Sequence, residues 1–228
     1  MIDHARDLES VREATERLLT AVGKLDNASV TEPSRLPGWS RGHVLAHLAR
    51  NADALVNVLE GRPMYASAAA RDADIERDAS RPLDVQLTDV RQSADRFQQA
   101  AAAPADWSRT VELRNGVTDA AARLPFRRWI EMELHHVDLG VGYELEDLPT
   151  EFLERETDFL TERFAGNADV EPVRLTDGTR VWRTGRHADK PAITVRGTGP
   201  DLLGWLAGRR TGSALTVEGG TLPTLPPL

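Results

Sequence analysis

Three side chains in this 228-residue chain have the types and spacing to hold a metal ion. Glu131 and His135 stand four residues apart in RRWIEMELHHVDLG (127–140). On a helix they project from one face, a single turn apart. His47, in GHVLAHLARNA (42–52), sits beside Leu48 and one turn before Asn51. Two imidazole nitrogens and one carboxylate oxygen suit zinc or a similar divalent ion, and three protein ligands leave the open position of a catalytic site. Asp138, about one turn beyond His135, could accept a hydrogen bond from an imidazole and fix its orientation. Spacing alone leaves alternatives open. A Glu–His pair at this separation is common as a solvated surface pair, and His47 can equally be a hydrogen-bonded core histidine. His43, one turn earlier, is an alternative ligand. His136 points about 100° away from His135, and His4 and His187 read as surface residues.

Helices must position these groups, and the first two-thirds of the chain reads helical. Leu8, Val11, Ala14, Leu18, Val22 and Leu25 form one apolar stripe. A Pro37-Gly38 loop follows, with Ser40 as N-cap of a second helix whose stripe is Leu45, Leu48, Ala52, Leu55 and Leu59. Residues 64–81 are Ala/Asp/Arg-rich and weakly periodic, a partly helical connection. A third helix runs from Pro82 through Phe97 and Ala101 and closes at Pro104, and 105–122 is irregular with a short extended piece at Val111–Leu113. A fourth helix has Pro125 in its first turn, where the missing N–H does no harm; its stripe is Ile130, Leu134, Val137 and Val141. None of the four can bury its stripe alone, so a four-helix bundle is expected. His47 on one helix and Glu131 and His135 on another lie at the edges of the stripes, where packing can bring them together.

The character changes after about Asp147. A linking helix (150–164) leads into β-type runs at 172–176, 180–183, 192–196 and 214–218, with one helix at 200–208. The expected fold class is therefore α+β: a helix bundle over residues 1–147, then a small domain over 148–228 with a mostly antiparallel sheet. Trp39, Trp129, Trp182 and Trp205 read as packing anchors, Trp39 near the proposed site. The Pro-rich tail TLPTLPPL is expected to lie extended on the surface.

Composition narrows the function. A net charge of −8 argues against nucleic acid and anionic membranes as partners. No apolar run approaches the ~18–20 residues of a membrane span. The charged start, MIDHARDLESVRE, lacks the apolar core of a secretion signal. Cysteine is absent, which excludes disulfides, cysteine ligands and a cysteine nucleophile and makes a reducing cytoplasm the expected location. Any thiol chemistry needs sulfur carried in on a small molecule. No glycine-rich phosphate loop, nucleophile elbow or Ser/His/Asp pattern is present.

The segments LPGWSRGHVLAHLARNADAL (36–55), RPMYASAAARDADIE (62–76), RRWIEMELHHVDLG (127–140) and LLGWLAGRRTGSALTVEGGTLPTLPPL (202–228) resemble the mycothiol-dependent maleylpyruvate isomerase family over essentially the whole chain. The resemblance implies a DinB-like metal-binding four-helix bundle followed by the family's small α+β domain. The first and third segments occur widely among DinB-like proteins; the second and fourth are more particular to the isomerase. By this likeness the metal ligands fall on His47, Glu131 and His135, the three that spacing singled out. The family's functional arginine falls in GRRTG, at Arg209, with Arg210 as the near alternative. His136 departs from the small residue more usual there, which puts the pocket shape in doubt.

The implied cofactors are a divalent metal, expected to be Zn2+, and mycothiol; the implied substrate is a small molecule with carboxylate groups. The implied reaction turns maleylpyruvate into fumarylpyruvate. A thiolate adds to the conjugated double bond, the resulting single bond rotates, and the thiolate leaves. The metal would hold the sulfur as thiolate near neutral pH, and the arginine would pair with a substrate carboxylate and the developing enolate. A mycothiol S-transferase acting on another electrophile would use the same parts. A non-catalytic protein binding an apolar ligand in a sterol-carrier-like C-terminal domain is the alternative from another class.

Overall fold

In the computed structural model, which describes residues 3–103, 105–187 and 189–227, the chain divides into two compact units, Met1–Tyr143 and Glu144–Leu228. The turn at 144–147 goes with the second.

The first unit holds five helices: α1 (His4–Val22), α2 (Arg41–Leu59), α3 (Ala68–Ala79), α4 (Leu83–Ala102) and α5 (Leu124–Asp138). α1, α2, α4 and α5 make the expected bundle, with α1 against α5 and α4, and α2 against α4 and α5. Val11, Ala14, Leu18 and Val22 on α1, and Val90, Ala94, Phe97 and Ala101 on α4, are buried as their spacing requires. Leu25 lies beyond the end of α1. Pro104, expected to close α4, lies outside the described residues.

Two connections carry more regular structure than expected. The connection at 64–81 contains a three-turn helix, α3, capped by Ser67, whose hydroxyl accepts from the Ala70 N–H. It packs on α2 at closest approach: a Cβ on Gly42 would come within 1.9 Å of the Ala79 carbonyl oxygen. Gln86 donates to the Gly42, Asp78 and Ala79 carbonyls at that crossing. Residues 105–122 carry a hairpin, β1 (Thr110–Glu112) with β2 (Thr118–Ala120), joined through Asn115 and Gly116 at positive φ. The burial of α5 also differs from its stripe. Leu134 and Val137 are buried and Ile130 half-buried, but Arg128, Trp129, Met132, Glu133 and His136 are buried too, because α1 and α2 both cover this helix.

In the second unit, α6 (Thr150–Phe164) and α7 (Gly199–Leu206) accompany a four-stranded sheet, β3 (Val173–Thr176), β4 (Val181–Thr184), β5 (Ile193–Arg196) and β6 (Thr216–Glu218), in the order β4-β3-β5-β6. β3–β4 and β5–β6 are antiparallel and β3–β5 parallel. Val173, Leu175 and Val195 point to a core shared with Phe152, Leu160, Leu202 and Leu203. Among the described residues no helix is long and apolar enough to cross a membrane.

Candidate metal centre

Two tethers set α2 against α5. The loop before α2 closes on itself, Ser34 N–H donating to the Trp39 carbonyl at 2.9 Å, and then joins the C-terminal end of α5: Arg35 N–H donates to the Asp138 carbonyl at 2.8 Å and Arg41 Nε to the Leu139 carbonyl at 2.9 Å. Ser40 caps α2, its hydroxyl accepting from the His43 N–H, while His43 Nδ1 accepts from the Ser40 N–H at 3.1 Å. His43 thus fills the reciprocal position of a capping box, and its Nε2 lies 3.1 Å from Glu76. It is engaged away from the other candidate ligands.

His47, one turn further, meets Glu131 and His135. Its Nε2 lies 2.9 Å from Glu131 Oε2, and His135 Nε2 lies 3.2 Å from the same oxygen. One ligand atom from each residue falls within 4.8 Å of the others, a grouping able to hold a metal ion. The two rings stand edge to face, centroids 4.7 Å apart. Asp138 Oδ2 takes the far side of His135, 2.8 Å from Nδ1, which directs His135 Nε2 inward. Trp39 flanks His47 at 5.5 Å between centroids.

The electrostatics suit a cation. Burial pushes the His47 pKa down to about 4, against the pull of Glu131, so its ring is neutral at pH 7 with a lone pair to give. For Glu131, burial acts to raise the pKa, but hydrogen bonds from His135 and His47 prevail and hold the carboxyl well below its usual value. For His135, burial acts downward and the carboxylates of Asp138 and Glu131 outweigh it, giving a net rise. A carboxylate between two imidazoles, with room for a further donor, is the donor set of an open divalent-metal site.

The profile of the mycothiol maleylpyruvate isomerase N-terminal domain matches residues 11–140. The chain belongs to the mycothiol-dependent maleylpyruvate isomerase family. The profile of that family's C-terminal domain matches residues 147–227. Among solved structures, the crystal structure of the mycothiol-dependent maleylpyruvate isomerase is similar at a TM-score of 0.89 and 26% identity, over 99% of this chain and 97% of that one. A histidine-to-alanine mutant of the mycothiol-dependent maleylpyruvate isomerase is similar to the same degree. No curated protein sequence matches the chain.

In this member of the isomerase family, three residues beside the triad carried no spacing signal. Arg71 on α3 places Nη2 3.3 Å from His47 Nδ1. Tyr65 lies beneath its guanidinium, 6.0 Å from Cζ to ring centroid, with burial first and then the Glu131 charge pushing its pKa up. Arg128, fully buried on α5, donates from Nη1 to the Leu48 carbonyl at 2.9 Å and to Asn51 at 2.8 Å. Tyr65 and Arg71 lie in the family-specific 62–76 segment, which was the signal for those two; Arg128 lies in the more widely shared 127–140 segment.

His136, by contrast, stacks on Tyr143 at 4.0 Å and is buried away from the triad. His4, expected at the surface, stacks on Trp107 at 4.3 Å. Of the two arginines in the second unit, Arg209 donates to the Ala207 carbonyl at 2.7 Å, and Arg210 is held by Asp201 at 2.6 Å and Glu146 at 2.7 Å.

Proposed function

We propose that this chain is a mycothiol-dependent maleylpyruvate isomerase, converting maleylpyruvate to fumarylpyruvate, with a divalent ion, zinc, held by His47, Glu131 and His135. The observation that carries this reading is the convergence of three ligand atoms within 4.8 Å in a chain that has no cysteine of its own. When bound, the metal supplies a coordinated sulfur of lowered pKa, and the thiol supplies the nucleophile that opens and restores the conjugated double bond. His47 is a neutral donor, His135 becomes one on losing its proton to make way for the metal, and Glu131 brings the negative charge that keeps a divalent ion in place. Asp138 orients His135. Trp39 flanks the His47 side of the site. Arg209 binds a substrate carboxylate and favours the enolate charge; Arg210 is bound to the carboxylates of Asp201 and Glu146. A free thiol cofactor requires a reducing compartment, so the proposed place of action is the cytoplasm.

The test is a spectroscopic assay of maleylpyruvate with and without mycothiol. The expected result is turnover that needs both the thiol and one divalent ion per chain. A product that retains the sulfur would identify an S-transferase instead. Arg209→Ala is expected to keep the metal and slow turnover by roughly a hundredfold; unchanged kinetics would remove Arg209 from the mechanism.

A further inference from the structure

The helical unit holds more cationic charge beside the triad than its own acceptors satisfy. Arg71 is one case. Its side chain is 12% exposed, yet its carboxylate partner is the adjacent Asp72, 2.7 Å away and 62% exposed. Its further contacts are to neutral groups, the Tyr65 side chain and the His47 ring, the latter long at 3.3 Å. Arg128 is the second. Burial pulls its pKa down to about 10, which leaves it a cation at neutral pH. Its acceptors are a carbonyl and a side-chain amide, and its Nε and Nη2 are buried with no hydrogen-bond partner among the described residues. A buried guanidinium without a paired anion is costly, and unmade donors add to that cost. Both arginines act electrostatically on Tyr65, as does Arg114 of the hairpin loop. Tyr65 in turn lines a cleft of about 560 Å³ between the 61–68 segment and β1, open to a small molecule.

We propose that Arg71 and Tyr65, with the buried charge of Arg128 behind them, form a carboxylate subsite on the helical unit beside the metal centre. It receives one carboxylate of the substrate and is distinct from the arginine of the second unit. The guanidinium of Arg71 gives a two-pronged grip that a carboxylate matches, the Tyr65 hydroxyl donates a third hydrogen bond, and Arg128 supplies the compensating field. A carboxylate gripped by Arg71 lies next to His47, whose ring that guanidinium already touches at 3.3 Å. The proposal rests on the isomerase reading for the identity of the substrate; the subsite itself rests on the placement of these donors.

The experiment titrates zinc-loaded full-length protein with maleate by calorimetry, without thiol, alongside the turnover assay. Arg71→Met is expected to weaken maleate about tenfold to a hundredfold, the value of a hydrogen bond to a charged group. Tyr65→Phe is expected to weaken it by less, with zinc still at one per chain in both. Arg12→Met, which removes a surface arginine paired with Glu9, is expected to change nothing. The subsite is overturned if wild type binds no maleate, if Arg71→Met binds it as wild type does, or if Arg12→Met weakens it equally. Loss of zinc in Arg71→Met overturns it as well, since the residue would then serve only to hold His47. If wild type fails to isomerise maleylpyruvate while maleate binding still depends on Arg71, the isomerase reading fails and the subsite stands.

Discussion

Helix α5 carries a glutamate and a histidine on each of two faces, and the two pairs have opposite fates. Glu133 is met by three donors: Arg17 at 2.5 Å, Trp129 Nε1 at 2.9 Å and the Tyr143 hydroxyl at 2.7 Å. Burial first, and then the Glu133 charge, push the Tyr143 pKa upward, so this hydroxyl keeps its proton and goes on donating. His136 closes this face by stacking on Tyr143. Two residues earlier, Glu131 faces two imidazoles, His47 and His135, whose nitrogens become lone-pair donors once deprotonated. A carboxylate surrounded by N–H and O–H groups is complete and anchors packing. The same carboxylate among imidazoles also accepts hydrogen bonds, but partners that can lose their protons let it trade those bonds for a cation. What distinguishes a structural acidic residue from a candidate ligand on this helix is its neighbours' ability to give up a proton, since both carboxylates sit in the same bundle.

Glu131→Ala should separate the two faces most widely. One of the three proposed ligands is gone, so metal retention and turnover should both fall below detection while the circular-dichroism spectrum keeps its helical form; a metal-free Glu131→Ala with full activity would end the metal reading. Glu133→Ala should do the reverse. It strands the buried ends of Arg17, Trp129 and Tyr143 and should cost about 3 kcal/mol of stability, measured by urea unfolding, with metal content still one per chain. Should Glu133→Ala lose its metal at a concentration where the fold persists, the two faces are not independent. Asp138→Asn should have a smaller effect, lowering metal affinity roughly tenfold to a hundredfold in a chelator competition, because His135 loses the charge that orients it.

The convergence of the three candidate ligands was legible in the sequence because helical periodicity turns a spacing of four into a shared face, and the stripes beside His47 and Glu131 show which way those faces turn. The four bundle helices were legible for the same reason. α3 was legible only as a partly helical connection: it buries only Ile75, Asp78 and Ala79 against the rest of the unit, so its sequence carries almost no apolar period. β2 was missed because Thr118–Ala120 reads Thr-Asp-Ala, with no apolar alternation and neither face buried. Glu133 and Arg17 meet across 116 positions, and Arg71 and His47 across 24. Such pairs depend on how helices pack, which single-helix spacing cannot encode, so the saturated face and the proposed carboxylate subsite emerged only in three dimensions.

The pH dependence of metal binding sharpens the contrast within the triad itself. Protons and the metal compete for the same lone pairs, so affinity falls with falling pH as each ligand protonates. Burial holds the His47 pKa down to about 4, and hydrogen bonds from the two histidines, against burial, keep Glu131 lower than its usual value. Neither takes up a proton between neutrality and pH ~5. His135 does: burial opposes protonation, but Asp138 and Glu131 raise its pKa above the ordinary 6.5. Below that raised value the logarithm of the metal association constant should fall by about one unit per pH unit, steepening only as pH nears the His47 value. A chelator competition series from pH 7.5 down to about 5 measures the slope. A slope near two across that range would mean that both histidines protonate together and that His47 is not kept neutral by its burial.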